Sequence, residues 1–201
     1  MKLAFIRHAE TAWNATGRWQ GHADTPLNAT GNEQAARLAR RLAHWPLDVV
    51  LSSDLQRAAE TARPVARQNG APLVLRPVWR ERDVGLCSGL TTPEIKARWP
   101  EETKRYGFDP PEGETMLDFR RRITQALEQL VGNGNGWQNI AVVTHGGVIH
   151  TLLGHVWGYD PYDSVPLTGR VNTSITTLLV NGDVIRPGTI NDHAHLEPLF
   201  D

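Results

Sequence analysis

A chain of 201 residues with 40% hydrophobic and 21% charged positions fits one compact unit of ordinary domain size, predicted to span residues 1–201. A core of that extent needs neither disulfides nor a structural metal. Its 21 basic and 22 acidic residues leave a formal charge of −1, which removes the electrostatic ground for a nucleic-acid or membrane-surface partner.

Cys87 is the only cysteine, which excludes intramolecular disulfides, cysteine-rich zinc sites and iron–sulfur clusters. The apolar run at 3–6 is followed at once by Arg7 and is too short for a signal-peptide core or a spanning helix. A cytoplasmic location is expected. The same run predicts a buried strand whose carboxyl edge carries His8. A polar, tryptophan-bearing stretch continues to Leu27. Ala35, Leu38, Ala39 and Leu42 then recur at helical spacing, with Asn28 and Thr30 as candidate caps, Thr30 and Glu33 at capping-box spacing, and Pro46 closing the helix.

Residues 48–53 read as a second buried strand, and Asp54 as the start of a helix whose Leu55, Ala58, Ala59 and Ala62 share a face. A short strand at 73–75 precedes an irregular Arg/Glu/Gly stretch and a region interrupted by Pro93, Pro100, Pro110 and Pro111, predicted to be a lid or insertion. Met116, Phe119, Ile123, Leu127 and Leu130 form an apolar helical stripe ending at Gly132. The glycine–asparagine run 132–136 lacks the spacing and lysine of a phosphate-binding loop and precedes a strand, so it reads as a turn. The strand at 140–143 delivers Thr144-His145-Gly146-Gly147 to its end, where a helix over 148–156 begins, and Asn181-Gly182 between apolar runs signals a hairpin.

Strands alternating with helices predict a three-layer α/β/α sandwich with a mostly parallel central sheet and an antiparallel edge strand from the final hairpin. Sheets of this kind bind ligands beyond the carboxyl ends of their strands. His8 and His145 are therefore expected to converge in one crevice.

The segment Arg7-His8-Ala9-Glu10-Thr11-Ala12-Trp13-Asn14 resembles the Arg-His-Gly-Glu signature of the histidine phosphatase superfamily, the phosphoglycerate mutase-like enzymes and phosphomonoesterases. The resemblance continues in order through Gln20-Gly21, Ser52-Ser53-Asp54-Leu55-Gln56-Arg57-Ala58, Arg80-Glu81, Gly113-Glu114-Thr115, Thr144-His145-Gly146-Gly147 and Asn172, and so covers almost the whole chain. It implies a phosphoglycerate mutase-like fold and a catalytic set of His8 as nucleophile, Glu81 as proton donor and His145 as stabiliser. Arg7 and Arg57 are implied as the phosphate clamp, and Asn14, Gln20, Gly21 and Gly146 as accessory contacts. Two departures stand out: Ala9 replaces the usual glycine, and Cys87-Ser88-Gly89 occupies the place of a frequent Trp-Glu-Gly.

In isolation, Arg57 on an alanine-rich helix reads as a solvated charge, and His193-x-His195 reads as a loop pair because no third metal ligand is spaced to join it. Trp13 and Trp19 flank the Arg7-to-Gly21 loop and are expected to wall the pocket. The reading that follows is a metal-independent phosphatase without cofactor, acting on a small phosphorylated metabolite in the phosphatase-type branch of that family. Its specificity is expected to come from residues 82–92 and the segment near Tyr106. A mutase-like phosphotransferase and a non-catalytic phospho-ligand binding protein are the competing readings, and oligomeric state has no signal in the sequence.

Overall fold

The structure is a computed structural model that describes residues 1–105, 107–132, 136–163 and 171–197. Tyr106 and positions 133–135 of the expected glycine turn lie outside the described residues. Six strands form one sheet: β1 (Lys2–Arg7), β2 (Val49–Ser52), β3 (Leu73–Leu75), β4 (Asn139–Thr144), β5 (Ile175–Asn181) and β6 (Val184–Pro187). Their order is β3-β2-β4-β1-β5-β6. The first four run parallel, and β5 and β6 pair antiparallel on the β1 side.

The helices are α1 (Ala12–Ala15), α2 (Ala29–Leu42), α3 (Gln56–Asn69), α4 (Thr92–Arg98), α5 (Met116–Gly132) and α6 (Gly146–Val156). The alternation of side chains along a strand divides the central strands between two cores. Leu3, Phe5, Ile140 and Val142 pack with Phe119, Ile123, Ile149 and Leu152 of α5 and α6. Ala4, Ile6, Ala141 and Val143 pack with Leu38, Leu42, Ala58 and Val65 of α2 and α3. Both faces are covered, which is why these strands read as continuous apolar runs rather than as alternating ones. The expected α/β/α sandwich is the observed architecture.

Three local expectations change. Helix α2 starts one residue after Asn28, whose side chain accepts from the Gly31 N–H at 2.7 Å. Thr30 is thus already inside the helix, and Glu33 pairs with Arg37 one turn on instead of closing a capping box. Asp54 does not open α3 either: the cap position is Leu55, and the Asp54 carboxylate takes two hydrogen bonds from Arg80. Helix α6 begins at Gly146, two residues earlier than its apolar pattern indicates, with His145 as its N-cap.

The proline-interrupted middle region carries a small core of its own, in which Val84, Cys87, Ile95 and Phe108 pack with Trp19, Leu90 and Trp99. It is tied to the loop after α1 by the Arg18–Thr91 bridge and by the Trp19 N–H to Leu90 carbonyl bond of 2.9 Å, and it forms one wall of the crevice above the sheet. No helix among the described residues is long and apolar enough to cross a membrane.

The feature that decides the site is the pairing of β1 with β4. They are adjacent, parallel and central, with Arg7 opposite Thr144. The residues that follow, His8 and His145, therefore leave the sheet side by side, although 136 positions separate them in the sequence.

Candidate active site

The backbone N–H of His8 still donates to the Thr144 carbonyl at 2.8 Å, one step beyond the end of the strand. Its side chain is almost fully buried, and Nδ1 lies 2.7 Å from the carbonyl of Ala9. A carbonyl only accepts, so Nδ1 carries the ring proton and Nε2 keeps its lone pair. Ala9 is buried without a positive φ, so the side chain in place of glycine is accommodated.

The ring of His145 lies 5.2 Å from that of His8, at an interplanar angle of 59°. Burial, then the charge of Arg57, holds both imidazoles well below the ordinary 6.5, and both are neutral at neutral pH. Neither ring nitrogen of His145 has a hydrogen-bond partner, although the residue is fully buried. One of those nitrogens must carry a proton, and an unsatisfied buried donor costs about 1–3 kcal/mol. A ring in that state is one that an oxyanion would satisfy.

Arg57 is the second residue of α3 and is 1% exposed. Its Nη1 donates to the Ala23 carbonyl at 2.7 Å and its Nη2 to the Gly21 carbonyl at 2.8 Å, while Nε is buried without a partner. Burial pushes the guanidinium down to about 10 against the favourable charges of Glu81 and Asp24, so it stays cationic at neutral pH. Gly21 makes the grip possible: its φ is +49°, and a Cβ there would lie 2.5 Å from Val84 Cγ2. Arg7, the last residue of β1, reaches the same pocket.

Glu81 comes from the other side. Its Oε1 accepts the Arg82 N–H at 2.9 Å and its Oε2 accepts the Gly147 N–H at 3.0 Å, on the first turn of α6. The main chain beneath it is fastened at several points. His22 Nε2 and Arg122 Nη2 lie 2.9 Å and 3.2 Å from the Glu81 carbonyl, and the Thr144 hydroxyl donates to the Trp79 carbonyl at 2.8 Å.

These groups open onto one cavity of about 660 Å³, which Arg7, His8, Asn14, Gln20, Gly21, Arg57, Glu81 and Gly146 all line; His145 is fully buried and not among the lining residues, its ring beside that of His8. The side-chain oxygen of Asn14 caps α1 and that of Gln20 accepts from the hydroxyls of Thr11 and Thr25. Each amide therefore has its NH₂ to offer a ligand. Gly21 also supplies the carbonyl that anchors Arg57.

Several further residues line the cavity beyond the expected site set. Arg82 is buried against the cavity with Nη2 on the Phe108 carbonyl at 2.8 Å, and Arg18, Phe108, Met116 and His150 complete the outer wall. Arg82 opens the 82–92 stretch from which specificity is expected, whereas Phe108 carries no sequence signal, because its burial depends on the middle region folding back over the sheet. Trp19 lines the cavity as expected, but Trp13 does not: its ring covers Gly89. His193 Nδ1 lies 2.7 Å from the Asn191 carbonyl and His195 Nε2 lies 2.9 Å from the Thr173 hydroxyl, so the two rings do not face one point. The described residues hold no cluster of metal-ligating side chains.

A family profile described as the histidine phosphatase superfamily, branch 1, matches residues 3–193. The chain belongs to the histidine phosphatase superfamily. This histidine phosphatase is 35% identical to phosphoglycerate mutase-like protein 4 of Arabidopsis thaliana, over 98% of its own chain and 87% of the relative's. It is 33% identical to phosphoserine phosphatase 1 of Hydrogenobacter thermophilus, over 80% and 78% of the two chains. The solved structure of Bacillus stearothermophilus YhfR superposes with a TM-score of 0.88 at 30% identity, covering 98% of this chain and 99% of that one. Family and phosphatase-named relatives together make the protein a phosphoric monoester hydrolase.

Proposed function

We propose that this histidine phosphatase hydrolyses a small phosphorylated metabolite through a covalent phosphohistidine on His8, with Glu81 as the proton donor. The observation that carries the reading is the pair of buried, neutral imidazoles 5.2 Å apart, with Arg7, Arg57 and Glu81 on the same cavity. Hydrolysis of phosphate monoesters is among the slowest uncatalysed reactions, so several preorganised groups must act on one phosphoryl.

The Nε2 lone pair of His8 attacks phosphorus, the N–P bond forms as the P–O bond to the alcohol breaks, and Glu81 gives its proton to the departing alkoxide. The Nδ1 bond to Ala9 holds the ring in the tautomer that this requires. Arg7, Arg57 and the N–H of His145 stabilise charge on the phosphoryl oxygens; one such donor is worth about 3–4 kcal/mol. Asn14, Gln20, Gly21 and the backbone of Gly146 complete the surround. Glu81, now a carboxylate, then takes a proton from water as it attacks phosphorus. The P–N bond breaks, its electron pair returns to Nε2, and inorganic phosphate leaves.

Glu81 is only partly buried, so water reaches it, which favours hydrolysis over transfer to a second alcohol. The phosphoserine phosphatase relative supports phosphoserine-like esters as the first substrates to try. The mutase-like relative keeps phosphotransfer as the second reading. The test is phosphate release from a panel of phosphomonoesters in chelator, with the phosphoenzyme trapped and mapped by mass spectrometry. Release with label on His8, abolished in His8→Ala, is the expected result. Unchanged turnover in His8→Ala refutes the nucleophile, transfer from a bisphosphorylated glycerate without phosphate release favours the mutase, and affinity without release favours a binding protein.

A further inference from the structure

The tail residue His195 takes no part in the chemistry above, yet it sits one residue-to-residue contact from the turn that holds the nucleophile. Asn172 Nδ2 donates to the His8 carbonyl at 2.8 Å. The backbone N–H of Thr173 donates to the Arg7 carbonyl at 3.0 Å, and the Arg7 N–H donates to Ser174 at 3.2 Å. The segment 172–174 thus grips Arg7 and His8 from the side opposite β4.

That grip comes with strain. Thr173 is fully buried with φ +60°, a left-handed conformation that a β-branched residue adopts at a cost of about 1–3 kcal/mol unless its surroundings hold it. Besides the backbone bond to Arg7, the contacts around it are those of the Thr173 hydroxyl, which donates to the Asn172 carbonyl at 2.7 Å and lies 2.9 Å from His195 Nε2. A hydroxyl has one proton, so with that proton on Asn172 the His195 ring must donate from Nε2. The other nitrogen, Nδ1, is buried without a partner, as suits the lone-pair nitrogen of a neutral ring. Burial pushes His195 down to about 4, against the opposing charge of Asp192, and the ring is neutral at neutral pH. Its own segment is anchored by the Asp192–Ile175 backbone pair and by Arg41 of α2, 3.1 Å from Asp192.

We propose that His195 is a positioning residue, whose hydrogen bond to Thr173 locks the 172–174 turn and through it the attack geometry of His8. The inference rests on His8 accepting the phosphoryl group. It predicts a loss in kcat, because a misplaced nucleophile weakens the transition state while Arg57, held from the Gly21 and Ala23 carbonyls, still binds the phosphate.

The test uses p-nitrophenyl phosphate in steady state and rapid quench. His195→Ala is expected to lower kcat and the rate of phosphohistidine formation about tenfold with KM within about twofold. His195→Gln, whose amide N–H can reach the same hydroxyl, should recover most of the loss. Thr173→Val should match His195→Ala, and the double variant should be no worse than either single one. Unimpaired kcat in His195→Ala, a loss confined to KM, no recovery with glutamine, or losses that multiply would each overturn the proposal. Should His195→Ala not fold, Thr173→Val and His195→Gln carry the same decision. His8→Ala run alongside separates the two readings: an active His8→Ala ends both, whereas an inactive one with a normal His195→Ala ends only this inference.

Discussion

Replacing Gly147 with alanine adds one methyl group at the point where Glu81 meets α6. The new Cβ would lie 2.2 Å from Glu81 Oε1, 2.9 Å from Cδ and 3.1 Å from Oε2, whereas ordinary contact begins at 3.4 Å. The carboxylate therefore has to retreat by more than about 1 Å, a misplacement that costs on the order of 100-fold when it falls on a reacting group. Folding is spared, because the clashing atoms are the far end of a flexible side chain and alanine favours a helix over glycine by up to about 1 kcal/mol. For an alkyl phosphate, Gly147→Ala should lower kcat about 100-fold while Tm stays level or rises. With p-nitrophenyl phosphate the leaving group needs no proton, so the first step survives and the attack of water suffers. One equivalent of nitrophenol per site should appear in a burst, with phosphohistidine accumulating behind it. Wild-type kcat on the alkyl ester in a folded variant would refute the acid–base role assigned to Glu81.

Because His8 and His145 are held well below 6.5, their unfolded forms bind protons that the folded protein refuses. Their contribution to stability is complete above pH 6.5 and is lost as pH falls, by up to about 1.4 kcal/mol per pH unit for each histidine. Tm should drop between pH 6.5 and 5, and a His8→Asn/His145→Asn double variant should show a flatter profile; equal slopes would contradict the assignment. Arg57→Lys keeps a charge but cannot span the Gly21 and Ala23 carbonyls while presenting a flat fork to phosphate, so kcat/KM should fall about 100-fold; near-normal kcat/KM would remove Arg57 from the cage. Trp19 stands over Phe108, with ring centroids 6.2 Å apart, and donates to the Thr92 hydroxyl at 3.0 Å. Trp19→Ala should raise KM more than it lowers kcat, and an unchanged KM across all active esters would take that wall out of substrate binding.

Much of this molecule was legible in the order of its residues. Uninterrupted apolar runs at β1, β2 and β4 announced strands covered on both faces, and the stripe from Met116 to Leu130 announced α5, because periodicity records which side of an element is buried. Cap chemistry was less legible. Asp54 and Thr30 have the side chains of helix starters, but Arg80 claims Asp54 from 26 residues away, and Asn28 reaches the first free N–H groups of α2 before Thr30 can. In both places a local preference yielded to a partner that only the folded chain supplies.

The motifs around His8, Arg57, Glu81 and His145 named the residue types that phosphoryl transfer needs, since that information is chemical and local. Their meeting is not local: it follows from β1 and β4 pairing in one register, from Gly147 leaving room for a carboxylate, and from Asn172 closing on the His8 carbonyl from the far end of the chain, with His195 against the adjoining Thr173. Side-chain identity is a property of the sequence, whereas distance, tautomer and desolvation are properties of packing, and those three decide what an imidazole or a carboxylate can do.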